Sequence, residues 1–133
     1  MKLLKQNNRY LKIIVGILFL TTVGFAIYQS QWLQERKQNI VGTWICDSTP
    51  EWKVEFTNNG ISYWHYPGET TEEYNYTVNS EITQSGLEIT FVKLINVNNP
   101  NDIIEYDING LSNDKMVLTV LTPKIDYIHF TKQ

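Results

Sequence analysis

From position 41 onward the chain alternates apolar and polar residues with a period of two, and turn residues break the pattern at short intervals. Alternation of that kind marks strands with one buried face. The first run is VGTWICD, 41–47, stopped by Ser48-Thr49-Pro50. EWKVEFT, 51–57, puts Trp52, Val54 and Phe56 on one face and Lys53 and Glu55 on the other. Asn58-Asn59-Gly60 follows, a strong short hairpin signal. ISYWHY, 61–66, closes at Pro67-Gly68 and leaves two faces open: Ser62/Trp64/Tyr66 or Ile61/Tyr63/His65. A fourth run at about 71–79 turns Tyr74, Tyr76 and Val78 inward. LEITFVKL, 87–94, is read with Leu87, Ile89 and Phe91 inward. NVNNPND, 96–102, is turn chemistry. IIEYDI, 103–108, turns Ile104, Tyr106 and Ile108 inward. NGLSND then leads to KMVLTVLT, 115–122, and Pro123-Lys124 to IDYIHFT, 125–131.

These are eight short strands in about ninety residues, with hairpin-length links and no helical stretch between them. The pattern predicts an all-β domain: an eight-stranded antiparallel up-and-down barrel over 41–133. Eight strands close into a small barrel, and closure removes the exposed edges that promote aggregation.

The first forty residues follow another rule. Ile13 to Tyr28, IIVGILFLTTVGFAIY, carries no charge, and Lys2, Lys5, Arg9 and Lys12 precede it without an acid among them. A signal peptide would have this basic start and apolar middle, with Gly24-Phe25-Ala26 as a cleavage site. An uncleaved anchor is the preferred reading. No charge appears until Glu35, and Tyr28 and Trp32 suit the membrane interface. The resulting organisation is a basic cytoplasmic end, 1–12, a transmembrane anchor or signal peptide, 13–33, a linker, 34–40, and the barrel. In either case the basic end stays inside, and the acidic domain lies outside the cytoplasm or is secreted. From Gln29 onward seven bases stand against fourteen acids, a net charge of −7. A surface of that sign repels nucleic acid, so no nucleic-acid partner is expected.

Gly42-Thr43-Trp44 opens the first strand. WKVEFTNNG, 52–60, forms the first hairpin, YDINGLSNDKMVLTV, 106–120, a later one, and YIHFTK ends the barrel sequence. Over 40–132 these features resemble the lipocalin-like domains of the calycin group, in particular the small lipocalin-like proteins of bacterial cell envelopes. The resemblance implies that Trp44 packs across the closed end of the barrel and that Gly42 permits a close backbone approach. The strands are shorter than in the larger lipocalins.

Few residues suggest chemistry. Glu72 and Glu73 point to opposite faces of a strand, and Glu51 and Glu55 share the outward one. All four read as solvated carboxylates. His65 and His129 have no His-x-His or Cys-x-x-Cys companion, so no metal or cofactor is expected. Aligned on Gly110, EYDINGLSNDKM has Met116 where a calcium loop needs a bidentate Glu, and it reads as a hairpin. Asn75-Tyr76-Thr77 matches a glycosylation sequon but lies within a strand. Cys46, the single cysteine, shares a face with Trp44 and reads as a small buried thiol. No catalytic residue emerges, and the protein is not read as an enzyme.

What remains is an inward set of aromatic residues. Trp52, Phe56, Trp64, Tyr74, Tyr76 and Tyr106 are the candidate ligand-binding residues, apolar walls with tyrosine hydroxyls as polar tips. They fit a small hydrophobic ligand or cell-envelope component. The same residues also fit a filled core in a packed barrel that meets a protein partner through its loops.

Overall fold

The computed structural model describes residues 2–120 and 124–133, with side-chain surroundings from Lys12 onward. Helix α1 (Lys2–Asn39) is followed by β1 (Gly42–Cys46), β2 (Lys53–Phe56), β3 (Ile61–His65), β4 (Glu72–Ile82), β5 (Glu88–Asn96), β6 (Ile103–Leu111), β7 (Lys115–Val120) and β8 (Asp126–Lys132). Each strand pairs antiparallel with the next. β1 also pairs with β8, from Trp44↔Lys132 to Cys46↔Phe130, which closes the barrel in sequential order. The sequence-based expectation of an eight-stranded up-and-down barrel behind one helix is thus met. Positions 121–122, expected as the end of the seventh strand, and Pro123 lie outside the described residues.

The chain divides into two compact units, one ending at Gln34 and one from Glu35 to Gln133. Helix α1 contains a span, Lys12–Asn39, long and apolar enough to cross a membrane, and most of it falls in the first unit. Ile13, Ile14, Val15, Leu18, Phe19 and Leu20 are each more than half exposed. Residues 34–40, read from sequence as a linker or as a short helix continuing from the anchor, are helical through Asn39.

Within the barrel unit, alternation places Trp44, Cys46, Val54, Phe56, Trp64, Tyr74, Val92, Leu94, Met116, Leu118 and Phe130 in the core. Pairing settles the third strand. Ser62 lies opposite Phe56 and Tyr74, and Trp64 opposite Val54, so these two face inward and Ile61, Tyr63 and His65 outward. The buried Ser62 hydroxyl accepts the Trp64 indole N–H at 3.0 Å, which leaves neither group unpaired.

The fifth strand corrects the sequence reading. Thr90, Val92 and Leu94 are buried there, whereas Ile89 and Phe91 are half-buried on the other face. Both faces of LEITFVKL are apolar, so alternation cannot choose between them. The register does, by setting Val92 opposite Val78 and Leu94 opposite Tyr76. A shift of one residue inverts a whole strand. The predicted NGLSND turn is also shorter than expected. β6 continues to Leu111 through a bulge between Ile108 and Gly110, and Ser112 caps the remaining turn by accepting the Lys115 N–H at 3.0 Å.

One end of the barrel is closed by the Asn39–Ile40 segment that leads into β1. The Trp44 indole N–H donates to the Ile40 carbonyl at 2.7 Å. Lys132 Nζ donates to the Asn39 carbonyl at 3.0 Å and lies 5.0 Å from the centre of the Trp44 ring. Gly42 has φ 135°, and a Cβ there would stand 2.4 Å from Lys132 Cε. The close approach anticipated for this glycine is therefore made to a lysine stem.

Candidate functional site

The opposite, open end is bounded by the links β1–β2, β3–β4 and β5–β6. Each link delivers residues from an inner strand face or just beyond it. Trp52 precedes β2, Tyr66 follows β3, Glu72 and Tyr74 begin β4, Asn96 ends β5, and Tyr106 and Phe130 come from β6 and β8. Their rings form a continuous set. Trp52 lies 5.4 Å from Tyr66 and meets Phe130 edge-on at 5.4 Å. Trp64 stacks on Tyr106 at 5.5 Å with 15° between planes and on Tyr66 at 6.3 Å. Tyr74 meets Trp64 edge-on at 6.4 Å. Offset and edge-on geometries are the favoured ones for aromatic pairs.

Polar groups crown these rings. Tyr74 donates to Glu72 Oε2 at 2.6 Å, and Asn96 Nδ2 donates to Asp102 Oδ2 at 3.2 Å. The Tyr66 and Tyr106 side chains hydrogen-bond to each other. Burial pushes the Tyr66 phenol far above the usual tyrosine value, and Tyr106, Tyr74 and the negative charge of Glu72 push it further. Burial likewise raises Tyr74, helped by its hydrogen bond to Glu72. It raises Tyr106 too, although the hydrogen bond from Tyr66 opposes that shift. Near neutral pH the phenols are uncharged donors around an acceptor carboxylate. Beside them the Trp52 indole Nε1 is buried and has no hydrogen-bond partner among the described residues. An orphaned buried donor of this kind is uncommon in a folded protein.

The structure divides the six sequence-predicted residues between the two ends. Trp52, Trp64, Tyr74 and Tyr106 meet at the open end. Phe56 is buried nearer the closed end, where Tyr76 packs edge-on against it at 4.9 Å and donates its hydroxyl to the Thr57 carbonyl at 2.5 Å. Glu72 was read from sequence as a solvated carboxylate, yet it is the acceptor for Tyr74. Its position two residues before Tyr74, on the same strand face, was the signal available. Tyr66 also belongs to the cluster, as one of the two faces left open for the third strand allowed.

The remaining chemistry-bearing residues do not converge. Cys46 is buried with its Sγ 3.3 Å from Ser48 Oγ. Its cross-strand neighbour is Phe130, so the adjacent, exposed His129 faces the other side of β8. His65 Nδ1 is engaged by the Thr71 hydroxyl at 2.7 Å. Among the described residues no three His, Cys, Asp or Glu side chains gather as metal ligands. Comparison with known protein families, characterised proteins and solved structures yields no match to this chain.

Proposed function

We propose that this protein is a membrane-tethered, lipocalin-like barrel that binds a small, neutral amphiphile at its open end. The orphaned Trp52 indole N–H carries the reading: a hydroxyl or carbonyl oxygen of a ligand would satisfy it. The aromatic faces of Trp52, Tyr66 and Tyr106 suit an apolar body, and Trp64, fully buried and in ring contact with Tyr66 and Tyr106, makes the site shallow. Glu72 and the −7 charge of the chain beyond Gln29 oppose an anionic head group, so a fatty alcohol or monoacylglycerol fits better than a fatty acid. The exposed apolar helix supports the tether, with the four bases before Ile13 on the cytoplasmic side and the barrel outside.

The test is binding of monodecanoylglycerol and of decanoate to the full chain in lipid nanodiscs, read by tryptophan emission. Saturable binding of the neutral ligand is expected, with decanoate weaker. Trp52→Phe, which keeps the ring but removes the donor, should weaken binding about fivefold, one ordinary hydrogen bond. Unchanged emission with both ligands refutes the reading. A second reading, a packed module that meets a protein partner through its loops, is favoured by the filled interior around Trp64, Phe56 and Leu94. It is the one left standing if no ligand binds.

A further inference from the structure

A second feature lies at the closed end, away from the aromatic cluster. β4 is 11 residues long and β3 only 5. The two pair from Ile61↔Asn75 to Trp64↔Glu72, and the Gly60 carbonyl takes the Tyr76 N–H at 2.8 Å. Beyond Tyr76, β4 keeps its pairing with β5 to Ile82 but has lost its neighbour on the other side. Backbone groups alternate sides along a strand. Since the Tyr76 N–H points toward β3, those of Val78 and Ser80 point the same way. Neither has a backbone partner on that side among the described residues, and Val78 is only 3% exposed. Where β3 would continue there is instead a groove of about 400 Å³. It is lined by Lys37, Gln38 and Val41, by Asn58 and Gly60 of the β2–β3 turn, and by β4 from Tyr76 to Asn79.

We infer that this groove receives an extended peptide segment that adds to the free edge of β4 and places a carboxylate against Lys37. A donor and acceptor pair at Val78, repeated at Ser80 about 6.6 Å further on, is the spacing of a β-ladder. Lipid head groups carry no such repeat. Lys37 and Gln38 on one side and Asn58 and Gly60 on the other line the groove along this edge. Lys37 lines the groove in an otherwise acidic unit, which sets the sign of the complementary group.

The probe is a fluorescein-labelled octapeptide of alternating valine and threonine, with aspartate as its C-terminal residue. It is titrated against the full chain in nanodiscs and read by anisotropy. Saturable binding is expected. Ser80→Pro removes an N–H on the unpaired side of β4, just beyond the groove lining, and no bond to β5, so it should weaken binding at least tenfold, whereas Ser80→Thr leaves it within twofold. Lys37→Glu should weaken it at least threefold and reverse its dependence on salt, from weakening to strengthening. Amide exchange of Val78 and Ser80 in the unmodified protein should slow at least tenfold with peptide bound, a readout independent of how the proline variant folds. Absent binding, or binding with no added protection at those amides, overturns the inference. Saturable binding of short-chain phosphatidylglycerol in place of the peptide also overturns it in favour of a lipid site. A dimer whose interface protects the same amides overturns it in favour of a second copy.

Discussion

Replacing Lys132 by methionine tests the clamp at the closed end. The methionine keeps the apolar stem that lies beside Gly42 and loses the ammonium. Two interactions disappear together: the 3.0 Å hydrogen bond to the Asn39 carbonyl and the cation over the Trp44 ring at 5.0 Å. A hydrogen bond from a charged donor contributes about 1.5–3 kcal/mol, and a cation–π contact at a partly exposed site about 0.5–1 kcal/mol. Asn39 is the last residue of α1, so its carbonyl belongs to the negative end of the helix, and a cation there adds a few tenths more. These terms share one ammonium and do not add fully. A loss of about 2 kcal/mol is expected, which for a barrel unit of this size lowers Tm by roughly 8–16 °C. The assay is thermal unfolding of the full chain in nanodiscs, followed by near-ultraviolet circular dichroism from the buried tryptophans. Lys132→Arg, which can donate to the same carbonyl and lie over the same ring, should restore most of the loss. A methionine variant that melts within about 2 °C of the parent would refute the argument and leave the α1 junction held by Trp44 and packing alone.

Trp64→Ala should cost about 3–5 kcal/mol in urea unfolding, because the indole fills the centre of the barrel and leaves the Ser62 hydroxyl without its donor; a cost below about 1.5 kcal/mol would mean the core collapses around the gap. Gly42→Ala should cost about 1–3 kcal/mol, since its φ of 135° is strained for any other residue and the Lys132 stem must move; an unchanged midpoint would sink that reasoning. The raised phenols of Tyr66, Tyr74, Tyr76 and Tyr106 favour the protonated state in the fold. Their contribution to stability is therefore complete below about pH 10, the value of an unfolded tyrosine, and is lost as pH rises above it. Spectrophotometric titration should show tyrosines that ionise only with unfolding. Tyr66→Phe should make the protein less sensitive to alkali, and an unchanged alkaline transition would count against the assignment.

The sequence by itself determined the class of the fold and most of its inner faces. Val54 and Phe56 alternate with Lys53 and Glu55, so only one face of that strand can be buried without burying charge. Gly60 after two asparagines has no competing role but a turn, and it takes a φ of 84°. The exposed run Ile13–Tyr28 of α1 was legible in the same way, because sixteen consecutive residues without a charge declare themselves with no tertiary partner. Where both faces of a strand are apolar, as in LEITFVKL, local pattern carries no information about direction. Only the register opposite Val78 and Tyr76 turned Thr90, Val92 and Leu94 inward. The candidate site depended on tertiary structure for the same reason. Sequence named Trp52, Trp64, Tyr74 and Tyr106 among the aromatic residues, but barrel height, which alternation does not encode, separated them from Phe56 and Tyr76. The role of Glu72 and the orphaned N–H of Trp52 arose only once strands distant in sequence met at one rim. The free edge of β4 is a difference between the lengths of two neighbouring strands, which exists only when they lie side by side.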